Sequence, residues 1–146
     1  MTKQEKYQTL LPQVESLVAG ETDMIANMAN VAAALHEAFG FWWTGFYRVD
    51  VQQLVLGPFQ GPIACTRIPY GRGVCGTAWQ RAATVIVPNV HEFAGHIACS
   101  SASNSEIVVP VIRDNRVIAV LDIDSTDFGA FDETDKHYLE QIVGML

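Results

Sequence analysis

The side chains best suited to chemistry in this sequence are a set of cysteines and a group of carboxylates. Cys99 lies in a run of small residues, after two histidines and shortly before Glu106, which opens an apolar strand. A thiol in that setting can be a buried small side chain, a metal ligand, half of a disulfide or a nucleophile. The residues alone leave these four roles open.

Two aspartates interrupt the apolar run "VLDIDS". Asp122 and Asp124 are two residues apart, so on a strand both side chains point to the same face. Glu106 lies on the strand predicted to pair with this one. Adjacent carboxylates raise one another's proton affinity, which keeps one of them a proton donor near neutral pH. A solvated strand face is the competing explanation.

The register of the predicted hairpin decides whether the three carboxylates meet. If Asp114 and Asn115 form a simple two-residue turn, Glu106 lies opposite Ile123 and therefore on the wrong face. A site containing all three carboxylates predicts a bulge or an odd loop that shifts the pairing by one residue. Otherwise Glu106 must lie just before regular pairing starts.

The segment "FWWTGFY" supplies aromatic residues. Alternation along a strand places Trp43 and Tyr47 on one face, and Trp42 and Phe46 on the other. Such residues usually belong to a core, and the functional interpretation is an apolar wall for a small ligand.

Two short motifs give only weak evidence for a binding site. "GRGVCG" at 71–76 matches a dinucleotide-binding pattern, but Pro69 precedes it and no βαβ repeat surrounds it, so Cys75 is expected to be a small packed residue. His91, His96 and Cys99 do not have the spacing of a zinc site. A Cys–His hydrolase stays open, because one sequence cannot show whether these groups converge.

Composition narrows the classes of function. The chain has 146 residues, enough for one domain, and a net charge of −7 without a basic stripe, which disfavours nucleic acid as a partner. No apolar run approaches the roughly 20 residues that span a bilayer, and the polar N-terminus does not resemble a secretory signal. Three cysteines leave at least one unpaired. We expect a cytoplasmic protein with thiol chemistry or packed thiols rather than a disulfide framework.

The periodicities predict an α+β fold with an antiparallel sheet in a single domain, residues 1–146. About five strands are expected, most of them joined as hairpins, with two helices before them, a short one from Gly76 and one after them. The predicted helices cover 5–18, 22–39 and 132–146, and the predicted strands cover 41–49, 53–59, 84–90, 105–113 and 116–125.

From about residue 7 to its end, the chain resembles the free methionine-(R)-sulfoxide reductases, which are built on a GAF domain. The segments that carry the resemblance are "GETDMIANMANVAAALHEAF", "WTGFY", "LVLGPFQGPIACTRIPYGRGVCGTA", "FAGHIACSSASNSEIVVPV" and "VLDIDS". It implies an antiparallel sheet of about six strands flanked by helices, with a small-molecule pocket closed by loops.

The resemblance also implies roles for individual residues. Cys99 corresponds to the catalytic thiol, Cys65 to the resolving thiol, and Cys75 is a possible secondary thiol. The acidic residues that hold the sulfoxide correspond to Glu106, Asp122 and Asp124. The side chains that house its methyl group correspond to Trp43 and Tyr47.

The implied reaction is reduction of free L-methionine (R)-sulfoxide to methionine. Cys99 attacks the sulfur while a protonated carboxyl, assigned to Glu106, protonates the oxygen. Cys99 then becomes a sulfenic acid and condenses with Cys65 to a disulfide, which thioredoxin reduces with electrons from NADPH. No metal or organic cofactor is implied.

Three alternatives stay open on the sequence. The first is a GAF module that senses a small ligand, the second a cysteine hydrolase, and the third a redox switch that uses Cys65 and Cys99 without catalysis. A homodimer is an assembly to consider, since the sequence does not define the oligomeric state.

Overall fold

The computed structural model of the protein describes residues 1–97 and 102–146. Its helices are α1 (Lys3–Val18), α2 (Met24–Phe39), α3 (Gly73–Arg81) and α4 (Glu133–Gly144), and a short 3₁₀ turn spans Val90–Glu92. Its strands are β1 (Trp43–Asp50), β2 (Gln53–Gln60), β3 (Arg67–Pro69), β4 (Val85–Val87), β5 (Ser105–Arg113) and β6 (Arg116–Ser125). The α+β prediction is confirmed.

Side chains close the ends of the long helices. Thr2 and Glu5 form a capping box at the start of α1, and Asp132 does the same with Asp135 at the start of α4. Asp23 accepts a hydrogen bond from the Ala26 N–H at the start of α2. These caps satisfy backbone donors that have no partner inside the helix, so the predicted starts are correct to within about two residues.

Helix α3 and strand β3 differ from the sequence prediction, and strand β4 is shorter than the predicted 84–90. Helix α3 begins at Gly73 rather than Gly76, because the glycine-rich turn itself enters the first helical turn. A Cβ on Gly76 would lie 2.7 Å from the Pro69 carbonyl oxygen, so glycine lets the helix approach the end of β3. The three-residue strand β3 was not predicted, because Pro69 and its short apolar content give no strand periodicity.

The six strands form one antiparallel sheet in the order β3-β2-β1-β6-β5-β4. Strands β2, β1, β6 and β5 each pair on both sides, which leaves the edges to the short strands β3 and β4. In the described part of the chain, every helix is too short or too polar to cross a bilayer.

The predicted irregularity in the β5–β6 hairpin is confirmed. Asp114 and Asn115 both have positive φ, and Arg113 pairs with Arg116 across this two-residue turn. The register then shifts between Val111 and Ile112, so that one extra residue of β6 bulges from the ladder. As a result Glu106 pairs with Asp124 rather than with Ile123.

The two faces of the sheet carry separate apolar clusters. Helices α1, α2 and α4 cover one face, where residues such as Leu35, Phe46 and Ile123 form the larger core. Helix α3 and the loops cover the other face, around residues such as Val108 and Val120. Alternation along each strand assigns its side chains to one cluster or the other.

Candidate functional site

The carboxylates meet on the face of the sheet that α3 covers. Asp124 lies between Trp43 of β1 and Glu106 of β5 in one row across three strands. Asp122 lies in the next row, between Gly45 and Val108. Residues directly opposite on antiparallel strands have Cβ atoms about 4.5–5.5 Å apart, so the three carboxyl groups are close neighbours. The predicted cluster of Glu106, Asp122 and Asp124 therefore exists.

Burial and mutual repulsion favour the protonated form of this cluster. Glu106 is 6% exposed, and desolvation, followed by the charges of Asp122 and Asp124, holds its pKa well above the ordinary value. Desolvation and the charge of Asp122 also hold the pKa of Asp124 well above its ordinary range. The site thus contains a carboxyl group that can donate a proton near neutral pH.

Asp122 differs from its two neighbours because it is surrounded by donors. Desolvation raises its pKa above the ordinary value, and hydrogen bonds with Glu106, Cys75 and Asp124 offset only part of that rise. Its Oδ1 atom is buried and has no hydrogen-bond partner among the described residues. Asp122 is therefore the carboxyl group of the cluster whose pKa is raised least, and it has one oxygen left for a further donor.

Cys75 belongs to this cluster, which its motif did not indicate. The first turn of α3 carries it, and the side chain is buried. Desolvation, then the charges of Asp122 and Glu106, hold the pKa of the Cys75 thiol well above its ordinary value, so it stays protonated. The ligand atoms of Cys75, Glu106 and Asp122 lie within 4.8 Å of one another, a spacing that could also hold a metal ion.

An aromatic wall stands beside the carboxylates. The rings of Trp43 and Tyr47 are stacked with centroids 6.0 Å apart, and Phe59 stacks on Trp43 at 5.2 Å. Gly45 makes this possible, because a Cβ there would lie 2.3 Å from the Phe59 Cβ and 2.7 Å from the Trp43 ring. The predicted common face of Trp43 and Tyr47 is confirmed.

Trp42 corrects the alternation expected for this segment. It precedes the first residue of β1, so strand geometry does not direct its side chain, and it lines the same cavity as Trp43 and Tyr47. Phe46 lies on the opposite face, as predicted.

The wall also holds the segment that carries Cys65. The indole N–H of Trp43 donates to the Pro62 carbonyl at 3.0 Å, and the Tyr47 hydroxyl donates to the Cys65 carbonyl at 2.8 Å. Cys65 is half-buried and disulfide-bonded, and Cys75 is the free cysteine in the described part of the chain. Cys99 lies outside the described residues.

The cavity is bounded further by Ile63, Ile97, His96 and Ser103. Burial, followed by the charge of His91, lowers the pKa of His96, so its imidazole is neutral near pH 7. His91 is engaged elsewhere, with its Nε2 atom 2.9 Å from the Asn104 Oδ1. Sequence reasoning missed Ser103, since nothing in a run of small polar residues singles out one hydroxyl.

Comparison with known proteins places this arrangement in a family. The family model for the GAF domain matches residues 19–145. The chain belongs to the GAF domain family. The GAF fold predicted from the sequence motifs is thereby confirmed, and the site lies on the face of the GAF sheet opposite its three long helices.

Individual relatives sharpen the comparison. A GAF domain-containing protein A of Dictyostelium discoideum is 60% identical over 99% of this chain and 92% of its own length. The free methionine-R-sulfoxide reductase of Escherichia coli strain K12 is 52% identical over 100% of this chain and 89% of its own length. The crystal structure of free methionine-R-sulfoxide reductase from Neisseria meningitidis with its substrate has a TM-score of 0.97 and 56% identity, covering 99% of this chain and 88% of that one. The resemblance to these reductases, read from the motifs, is confirmed.

Proposed function

We propose that this GAF domain reduces free L-methionine (R)-sulfoxide to methionine. The observation that carries the proposal is a buried carboxyl cluster, partly protonated, beside an aromatic wall in one cavity. The similarity to reductases named for free methionine-R-sulfoxide supports this compound as the substrate. A pocket that only encloses an apolar ligand would not need three carboxyl groups in so buried a place.

The wall and the cluster divide the recognition of the sulfoxide group. Trp43 and Tyr47 provide an apolar surface for the S-methyl group. Glu106 and Asp124, in their protonated forms, donate hydrogen bonds to the sulfoxide oxygen, while the negative charge of Asp122 stabilises the positive character that develops on sulfur. Glu106 is the proton donor, because desolvation and then the charge of Asp122 hold its pKa well above the ordinary value.

The chemical steps balance as a two-electron transfer. The thiolate of Cys99 attacks the sulfoxide sulfur, Glu106 gives its proton to the oxygen, and the oxygen passes to the Cys99 sulfur as a sulfenic acid. Methionine leaves with its sulfur reduced by two electrons, and Cys99 is oxidised by two. The Cys65 thiol then attacks the sulfenic sulfur, forming the Cys65–Cys99 disulfide and releasing water.

The reductant closes the cycle. Thioredoxin, a dithiol supplied with electrons from NADPH, reduces the Cys65–Cys99 disulfide by exchange and restores both thiols. The disulfide-bonded state of Cys65 supports its role as the resolving residue. Thiol-dependent turnover fits the cytosol, where such reductants act. The proposed steps involve one chain, and a homodimer is compatible with them.

A coupled assay tests the proposal. NADPH consumption with thioredoxin and its reductase is followed for free L-methionine (R)-sulfoxide, the (S) epimer and a blocked peptide analogue. We expect turnover of the free (R) form alone. Cys99→Ser is expected to abolish it. Cys65→Ser is expected to stop NADPH consumption but still to release one methionine per enzyme, because methionine leaves before the disulfide forms.

Ligand binding and oxidation by peroxide, measured beside the coupled assay, separate the reductase from the alternative functions. Binding of a small ligand without turnover, in freshly reduced protein, would replace the reductase by a ligand-sensing module. Oxidation by peroxide with no preference between sulfoxide epimers would replace it by a redox switch. Cys75→Ser is the matched thiol control, expected to leave the disulfide step intact because its thiol stays protonated.

A further inference from the structure

Four buried side-chain polar atoms lack a hydrogen-bond partner in the described part of the chain. They belong to His36, Thr44, Ser103 and Asp122. A buried hydroxyl without a partner is unfavourable in the folded protein, so each such group requires a reason. Two of the four residues, Ser103 and Asp122, line the same cavity.

Ser103 is enclosed by the protein although it lies outside the strands. It is 7% exposed, precedes β5 by two residues, and shares the cavity wall with His96 and Ile97. It is three positions before Glu106 in the chain, so the α-carbons of the two residues can lie up to about 10 Å apart. Ser103 can therefore face a part of the ligand other than the group that Glu106 binds.

The charges around the cavity indicate which group of the ligand the Ser103 hydroxyl would bind. The lining residues that the structure describes include three acids, a histidine with a lowered pKa and neither lysine nor arginine. A free amino acid brings an α-ammonium, which the carboxylates attract, and an α-carboxylate, which they repel. The carboxylate must be bound by neutral donors.

We propose that the Ser103 hydroxyl donates a hydrogen bond to the α-carboxylate of the bound free amino acid, making Ser103 a residue that selects free methionine sulfoxide over its peptide-linked form. The inference rests on the proposed function for the identity of the ligand. A hydroxyl without a partner among the described residues is available to the ligand as it stands. A peptide-linked residue has an amide in place of the carboxylate and a chain that continues from it.

Thr44 provides a matched control for Ser103. Its hydroxyl is also buried and without a partner, but Thr44 pairs with Ile123 and faces the helix-covered core. Thr44→Val and Ser103→Ala each remove one such hydroxyl. Both variants therefore lose one buried, unpartnered hydroxyl, but only Ser103 lines the cavity that the ligand would occupy.

The experiment measures binding by calorimetry in reduced protein carrying Cys99→Ser, so that no turnover intervenes. The probes are L-methionine (R)-sulfoxide and the corresponding methioninamide sulfoxide. Ser103→Ala is expected to weaken binding of the acid on the order of tenfold to a hundredfold, and to leave binding of the amide nearly unchanged. Thr44→Val is expected to change neither. Neither substitution should lower the unfolding midpoint of the ligand-free protein, because neither breaks a hydrogen bond.

Other outcomes overturn the inference. The contact between Ser103 and the α-carboxylate is refuted if Ser103→Ala binds the acid as tightly as the parent protein does. It is also refuted if Ser103→Ala weakens binding of the acid and the amide equally, or if Thr44→Val causes the same loss. If the wild type turns over the (R)-sulfoxide and Ser103→Ala does not weaken binding of the acid, the reductase activity is supported and the inference about Ser103 is refuted. Selective binding of the acid by Ser103 without any turnover supports the inference and refutes the reductase. Failure of the wild type to bind the sulfoxide at all refutes both.

Discussion

The two faces of the central sheet treat buried carboxylates in opposite ways. On the helix-covered side, Asp135 is 1% exposed and fully engaged: the Tyr7 hydroxyl and the Lys3 ammonium each donate to it at 2.6 Å, and the Asp132 N–H donates at 2.9 Å. On the other side, Glu106 and Asp122 face one another and a third acid, with no cation among the residues that line the cavity in the described chain.

This difference separates a structural carboxylate from a functional one. A buried charge that is paired and hydrogen-bonded holds elements together, and here Asp135 ties α1 to the start of α4. A buried cluster of like charges opposes folding and is tolerated where it serves a ligand or a reaction. The comparison also shows that burial by itself does not identify an active carboxyl group.

The largest expected effect comes from removing the proton donor on the site face. Glu106→Gln should lower kcat about 10²- to 10⁴-fold, the range typical of general acid catalysis. The same change should leave the unfolding free energy equal or higher, because glutamine is neutral without taking up a proton on folding, as the buried Glu106 carboxyl must. Turnover in the coupled assay and urea unfolding measure the two quantities. A clear loss of stability without loss of turnover would make Glu106 a structural residue.

The converse substitution on the other face should affect stability alone. Asp135→Ala leaves the Tyr7 hydroxyl and the Lys3 ammonium without their acceptor, and we expect a loss of about 2–3 kcal/mol in unfolding free energy. The turnover number should stay close to that of the wild type. Asp135→Asn is the milder control, since it keeps an acceptor for Tyr7. A fall in kcat measured on fully folded Asp135→Ala protein would contradict the assignment of a purely structural role to Asp135.

The last expected effect is a dependence of stability on pH, which is small per pH unit. The folded-state pKa of Glu106 lies above its ordinary value of 4.5, so between those two values the folded protein binds more protons than the unfolded chain. Unfolding free energy should therefore fall as pH rises above about 4.5, by at most about 1.4 kcal/mol per pH unit from this group. Urea unfolding from pH 5 to 8 measures it, and Glu106→Gln should flatten the slope. Wild-type stability that rises over this window faster than in the variant would contradict the shift.

Local patterns in the sequence determined the elements and most of the residues that matter. Strands β5 and β6 begin and end where their apolar runs do, and the period-two spacing of Asp122 and Asp124 places both on one face. The segment "FWWTGFY" likewise gave the aromatic wall, because alternation along a strand is a local property. These features need only neighbouring residues for their prediction.

The tertiary structure decided which of these residues meet and in what electrostatic state. The bulge in the hairpin brings Glu106 opposite Asp124, and sequence reasoning could state only that such a bulge was required. The first turn of α3 brings Cys75 beside Asp122, a contact that depends on how the helix packs against β5 and β6. Desolvation, which sets the protonation of the cluster, and the missing partner of Ser103 both depend on everything packed around a group, so they follow from the folded chain and not from any segment of it.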